Sequence, residues 1–340
     1  MFKNISGEEM VMIKNVDRID PFLMSIVSSD DHWMYISSTG CLTAGRKHAE
    51  NALFPYVTDD LLHVNGHFTG PITVIKVKKT NEELTQDWEP FSLWESGFQI
   101  ERNLYKGCIG NTVIFEEVNI SIGLVFRYQW FNSREFGFIK RSTLINNNDH
   151  AIDINLVDGL QNVLPQGIAL HTQQAMGNLA NAYKTSEYFP ETNCALFSLN
   201  ALLMDRPEPG ESLRTNVVWC SSRIPHLISL SNDQLKYFRK NEQFKEQHRV
   251  TGKAGSFLIN MTESVTRSGE LSWDILADVN KTQVEITSLE TIIQNKDDLD
   301  DKINKSVRKG TEELKIYIGS ADGFQVSNNK MDDFHHTSNV

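Results

Sequence analysis

The sequence predicts a mainly β protein, two large antiparallel sheets packed face to face, with a long helix at the C-terminal end. Three observations predict it. Between residues 10 and 285, short runs of β-branched and aromatic residues are separated by Gly, Asn, Asp or Pro. These runs are too many for one open sheet and favour two packed ones. Beyond residue 285 the period changes, and apolar residues recur at spacings of three, four and seven.

Taken in order, the first strands are His32-Trp-Met-Tyr-Ile and Ile72-Thr-Val-Ile-Lys-Val. Residues 112–119 then lead into 124–131, where Leu124, Phe126, Tyr128 and Trp130 alternate with other residues, the pattern of a hairpin with one buried face. Residues 136–145, the polar turn Asn146-Asn-Asn-Asp and residues 151–157 repeat that plan, since Asn and Asp tolerate left-handed turn geometry. Residues 193–199, 213–219 and 256–261 are further strands. Two helices interrupt them, Thr172 to about Ser186 and Asp233 to about Glu246, the second opened by a Ser231/Gln234 capping box.

The terminal helix is the strongest. Thr287 and Glu290 make a T-x-x-E start, and Ile292, Leu299, Ile303, Val307, Leu314 and Ile318 line one side. Glu290, Asp297, Asp298, Asp300 and Asp301 precede Lys302, Lys305, Arg308 and Lys309, as the helix dipole favours. From Ser288 to Ile318 it would span roughly 45 Å. Exposed, its apolar stripe would dock a further domain or a second copy in a homodimer; covered, it would lie on this chain's own sheet. The expected division is 1–285 for the sandwich and 286–340 for a linker helix and the start of another domain. The last twenty residues read as a chain cut short.

Composition narrows function. Lys and Arg total 33 against 44 Asp and Glu, a net charge of −11, which opposes nucleic-acid and anionic-membrane partners. With no 18-residue apolar run and no secretory h-region, a soluble cytoplasmic chain is expected. Cys41, Cys108, Cys194 and Cys220 lie far apart and read as reduced, mostly buried small hydrophobes.

Gly40-Cys-Leu-Thr-Ala-Gly45-Arg-Lys approaches a phosphate loop, but Arg46 stands where Lys is needed and Lys47 where the magnesium-binding hydroxyl is needed. A plain glycine turn remains. His63 and His67 are i,i+4, but Gly66 argues against a helix that would bring both to one metal. No metal and no cofactor are expected. Glycoside chemistry needs two carboxyl groups about 5–9.5 Å apart. Asp59-Asp60 reads as a solvated loop and Glu116-Glu117 as a strand pair with one exposed member, so neither is a dyad. Sugar stacking needs an open ring. Of Trp33, Trp88, Trp94, Trp130, Trp219 and Trp273, the loop-like segment Trp88-Glu-Pro-Phe-Ser-Leu-Trp94 holds the two candidates, whereas Trp130 and Trp219 lie in strand patterns.

Four segments, His32-Trp-Met-Tyr-Ile-Ser-Ser-Thr-Gly-Cys-Leu-Thr-Ala-Gly-Arg, Ala52-Leu-Phe-Pro-Tyr-Val-Thr-Asp-Asp, Trp88-Glu-Pro-Phe and Arg102-Asn-Leu-Tyr, resemble in order the N-terminal β-sandwich of the cellobiose phosphorylase group. The resemblance implies a galactose-mutarotase-like supersandwich, a linker helix and then an (α/α)6 barrel, which is absent here. It implies that the catalytic groups lie in the barrel, so no catalytic residue is carried onto this chain. Arg46, at the end of the first segment, joins Trp88 and Trp94 as candidate substrate contacts. The expected function is a domain of a glycoside phosphorylase or hydrolase, non-catalytic alone, with carbohydrate and the barrel as partners. The alternatives are a stand-alone sugar-binding sandwich, or a mutarotase-like epimerase with a His and a carboxylate meeting in one cleft.

Overall fold

The runs rich in β-branched and aromatic residues form strands where their pattern places them. The computed structural model describes residues 1–5, 7–57, 59–78, 85–94, 97–201, 212–295 and 298–339. In chain order the strands are β1 (Phe2–Ile5), β2 (Glu8–Lys14), β3 (Leu23–Ser25), β4 (His32–Ser37), β5 (Leu42–Arg46), β6 (Ala52–Phe54), β7 (Gly70–Lys78), β8 (Thr85–Trp88), β9 (Ile100–Gly107) and β10 (Val113–Asn119). They continue as β11 (Leu124–Ser133), β12 (Gly137–Asn146), β13 (Ile152–Val163), β14 (Lys184–Phe189), β15 (Cys194–Leu199), β16 (Thr215–Ser221), β17 (His226–Ser229), β18 (Arg249–Thr251), β19 (Gly255–Val265) and β20 (Glu270–Lys281). The α-helices are α1 (Asp59–Val64), α2 (Leu170–Ala175), α3 (Gly177–Asn181), α4 (Asp233–Arg239), α5 (Gln283–Gln294), α6 (Leu299–Ser320) and α7 (Lys330–Asn339).

An eleven-stranded antiparallel sheet runs β1-β2-β9-β10-β11-β12-β20-β16-β15-β14-β18. A five-stranded sheet, β17-β19-β13-β7-β8, faces it, and β3-β4-β5-β6 form a third. Phe115, Phe126, Trp130 and Phe138 of the large sheet share one core with Ile154, Leu156, Leu160 and Phe257 of the five-stranded one. The fold is the expected large antiparallel sandwich. Among the described residues, one ion pair is fully buried on both sides. Lys140 and Asp158 are both fully buried, with Nζ donating to Oδ1 at 2.6 Å and to Ser142 Oγ at 3.0 Å. Asp158 also accepts from Thr73 Oγ1 at 2.7 Å, Ser142 Oγ at 3.0 Å and Trp273 Nε1 at 2.7 Å, so both of its oxygens are satisfied. Burial pulls the Lys140 ammonium below the ordinary lysine range, against the opposing field of Asp158.

Pairing departs from the hairpin plan at β12. β10 and β11 pair as expected, but β12 pairs with β11 and β20, whereas β13 crosses to the other sheet between β7 and β19. The polar turn at 146–149 is therefore a sheet-to-sheet crossing. Asn146 makes it one by donating from Nδ2 to the carbonyls of His150, Val265 and Thr266. The helix expected from Thr172 to Ser186 is shorter, α2 and α3, and Ser186 lies in β14. The expected capping box of α4 does not form, because the side chains of Ser231 and Gln234 are both engaged with the 245–247 segment.

The terminal helix also differs. It is two helices, with the start of the first five residues earlier than Thr287, because Thr282 and Glu285 form the capping box. Asp297 lies outside the described residues. The apolar stripe is not exposed. Ile286, Ile293, Leu299 and Ile303 are buried against Phe131, Phe136, Ile139, Val217, Trp219 and Leu276 on the outer face of the large sheet, with Ile292 and Val307 packed beside them. The stripe covers this chain's own sheet, which removes it as the docking face for a barrel or a second copy. Among the described residues, no helix is long and apolar enough to cross a membrane. Cys41, Cys194 and Cys220 are buried and Cys108 is half-buried, all four as free thiols.

Candidate functional site

The Trp88–Trp94 segment does form a loop, and its two tryptophans part company there. Trp88 closes β8 with its ring fully buried, donating from Nε1 to Glu117 Oε1 at 2.7 Å. It is a core residue, which corrects its reading as a sugar contact. Glu117 accepts two further bonds on Oε2, from the Phe91 amide and from Arg102 Nε, each at 2.7 Å. Arg102 Nη2 in turn donates to the Ser92 carbonyl at 2.7 Å. One buried carboxylate thus holds both ends of the turn. Phe91 sits at φ 61°, a region costly for a bulky side chain, and the Glu117 bond to its amide keeps it there.

Both members of the Glu116-Glu117 pair are buried, contrary to the expectation of one exposed carboxylate. Each has its own guanidinium. Arg127 Nε donates to Glu116 Oε2 at 2.6 Å, while Asn103 and Tyr105 bond Oε1 at 2.8 Å. Burial works against ionising Glu116, but Arg127, Asn103 and Tyr105 outweigh it and hold the carboxyl below its ordinary range.

With the loop fixed, Trp94 stands 73% exposed at the mouth of a cleft of about 510 Å³. Its ring stacks on His67, with centroids 5.3 Å apart and planes 19° apart, and Phe68, 69% exposed, follows His67 in the chain. Gly40, Phe91, Thr73 and Tyr128 line the depth of the cleft. Glu89 and Arg239 line it too, joined by bonds of 2.7 and 2.8 Å that occupy both carboxylate oxygens. An exposed aromatic ring and a paired carboxylate and guanidinium thus line one recess.

Asp59 and Asp60 begin α1, so the expected loop there is helical, and His63 belongs to the same helix. His67 follows in a 3-10 turn through Gly66, which takes it off the helical register with His63. His63 Nδ1 lies 2.8 Å from Ser37 Oγ, whereas His67 faces Trp94. A second recess, of about 390 Å³ beside α6, is lined by Arg127, Arg141 and Arg308. Two of these guanidiniums are already engaged by Glu116 and Asp274.

Arg46 is not in the cleft. Its Nε donates to Asp31 at 2.6 Å, Nη1 to Asp278 at 3.1 and 3.2 Å, and Nη2 to Asp30 at 3.1 Å. Arg46 thus ties the third sheet to β20 and lines a separate recess with Lys47 and Arg214. Among the described residues, the one grouping of three metal-type side chains is Asp30, Asp31 and His32, and the Arg46 guanidinium already neutralises its carboxylates. His32 lies within this grouping, edge-on to Phe138 at 5.0 Å. Burial, then the Arg46 charge, pulls its imidazole down to about 4, with Asp278, Asp30 and Asp31 opposing. The unfolded chain, with His near 6.5, therefore binds more protons between those two values. Stability should hold above pH 6.5 and fall as the pH drops toward 4, by about 3 kcal/mol from this group. Unfolding curves of wild type and His32→Gln across that window check this, and parallel pH profiles would contradict it.

No protein-family model and no curated protein matches this chain. Among solved structures it is similar to a protein described as kojibiose phosphorylase from the human microbiome, at 10% identity and a TM-score of 0.43, over 88% of this chain and 35% of that one. It is similar to a bacterial glucoamylase at 7% identity and a TM-score of 0.40, over 91% of this chain and 41% of that one. It is similar to a protein described as aldose 1-epimerase from Klebsiella pneumoniae at 9% identity and a TM-score of 0.34, over 84% of this chain and 91% of that one. The chain thus spans well under half the length of the first two.

Proposed function

We propose that this chain is a carbohydrate-binding β-sandwich domain of a glycoside phosphorylase- or hydrolase-type enzyme, non-catalytic by itself, with its sugar site in the cleft at Trp94. The observation that carries the reading is Trp94 itself. Beyond its stack on His67, this large ring stands three-quarters exposed on a loop anchored by a buried carboxylate, and it lines one cleft with the polar groups of Glu89 and Arg239. The hydrolytic or phosphorolytic groups of such an enzyme lie outside this chain. Because α5 and α6 spend their apolar stripe on the large sheet, a catalytic domain would have to dock on another face.

Calorimetric titration of the 340-residue chain with glucose, galactose, maltose and cellobiose tests the reading. At least one is expected to bind, and Trp94→Ala should weaken it roughly tenfold or more, the loss of one stacking ring with its buried area. Unchanged binding in Trp94→Ala would end the proposal. A second reading, a mutarotase-like epimerase, is favoured by one fact, that His67 and Glu89 line the same cleft. Against it, both Glu89 oxygens are held in a bidentate ion pair with Arg239. Polarimetry of fresh α-glucose or α-galactose decides: acceleration lost in His67→Ala would establish epimerisation.

A further inference from the structure

We infer that the phenol hydroxyl of Tyr128 is the ligand-reading group at the closed end of the Trp94 cleft, and that the ligand offers it a single neutral hydroxyl. This rests on the carbohydrate reading proposed above and deepens it. The cleft runs from the exposed rings of Phe68 and Trp94 to the buried side chains of Thr73 and Tyr128. The Thr73 hydroxyl is already committed, donating to Asp158 at 2.7 Å. The Tyr128 hydroxyl is not. Its residue is 2% exposed, and among the described residues the hydroxyl makes no hydrogen bond. Without a partner in the protein and lining the cleft, the hydroxyl is left for water or a ligand to match.

The ring cannot swing away to find one. Phe115 stacks on it at 4.8 Å and 11°, the edge of Phe91 meets it at 5.1 Å and 85°, and Lys140 Nζ lies 5.6 Å from its centroid. The space in front of the hydroxyl is kept by Gly40. That glycine has φ +93°, and a Cβ on it would stand 2.6 Å from the Tyr128 oxygen. Burial holds the phenol well above its ordinary range, so it meets the ligand as a neutral O–H. The cations that act on it are already paired, Lys140 with Asp158 and Arg102 with Glu117, so neither offers an unneutralised charge to draw an anionic group. A neutral donor and acceptor at a blind end suits one sugar hydroxyl, with the rest of the ring carried outward under Trp94.

The test is Tyr128→Phe in the full chain, beside wild type and Trp94→Ala, titrated with glucose, galactose, maltose and cellobiose and melted without ligand. Tyr128→Phe keeps the ring contacts and loses no protein hydrogen bond, so its Tm should change by less than about 2 °C. Its affinity for the tightest of the four sugars should fall roughly tenfold or more, as expected when a site built for a hydroxyl loses its partner. Wild-type affinity in Tyr128→Phe together with weakened binding in Trp94→Ala overturns this inference and leaves the sugar site standing. A large fall in Tm also overturns it, because the hydroxyl would then have a structural partner. No binding by the wild type, or full binding by Trp94→Ala, removes the sugar reading and this inference with it.

Discussion

Asp158→Asn should lower stability by about 3–5 kcal/mol, which for a chain of this length is roughly 4–7 °C in Tm. The substitution is nearly isosteric, so no cavity is made. What changes is the charge balance at the centre of the sandwich. Lys140, fully buried and 2.6 Å from Asp158, keeps its ammonium without a counter-ion, and the amide turns a donor toward Thr73, Ser142 or Trp273, each of which already donates. Lys140→Met should cost less, because Asp158 retains those three donors and loses only one. Combining the two should recover part of the Asp158→Asn loss, since the uncompensated cation is gone. Denaturant unfolding of the four proteins measures this cycle. A loss under about 1 kcal/mol for Asp158→Asn would show that the pair is not dry.

Glu117→Ala should have an effect of the same size, about 3–5 kcal/mol, and should also dismantle the cleft. Removing this carboxylate strips the acceptor from Trp88 Nε1, the Phe91 amide and Arg102 Nε at once, leaving a cation with 15% of its side chain exposed and no counter-ion. Phe91 then has no reason to stay at φ 61°. Its relaxation moves the turn that carries Trp94. Two readouts separate the global and local parts: unfolding free energy, and amide hydrogen exchange over residues 88–94 well below the denaturation midpoint. Exchange at Phe91 should rise far more than at β11. Glu117→Gln should be intermediate, because one amide oxygen can serve only one side of the three-donor cluster. Unaltered exchange at Phe91 in Glu117→Ala would mean that the loop is held by packing alone.

The legible and illegible parts of this protein divide by range. Strand existence was readable at β4, β7, β10, β11, β12, β13, β15, β16 and β19 because alternation and β-branching are local properties. Their partners were not, and the β12–β20 pairing joins residues more than a hundred apart. The candidate site was half readable. Loop character between Trp88 and Trp94 was visible in Pro90 and its neighbours, yet which tryptophan faces solvent depends on Glu117, a residue whose sequence context reads as an ordinary strand carboxylate. Nothing local marks Tyr128 either, since it belongs to an alternating core pattern with Phe126 and Trp130. The signal that finds it is the glycine at position 40, distant in sequence and adjacent to its hydroxyl in space.

By itself the sequence determined the class of the fold, antiparallel sheets with a C-terminal helical region, because hydrophobic period and turn chemistry act over a few residues. It also determined the acidic balance that disfavours polyanionic partners. Only the tertiary structure decided that the terminal apolar stripe closes its own sheet, that Arg46 clamps Asp30, Asp31 and Asp278, that Trp88 is core, and that Trp94 opens a cleft ending at Tyr128. The physical reason is common to all four. Burial and charge pairing are properties of neighbours in space, and in a sandwich those neighbours come from the opposite sheet or from strands far along the chain.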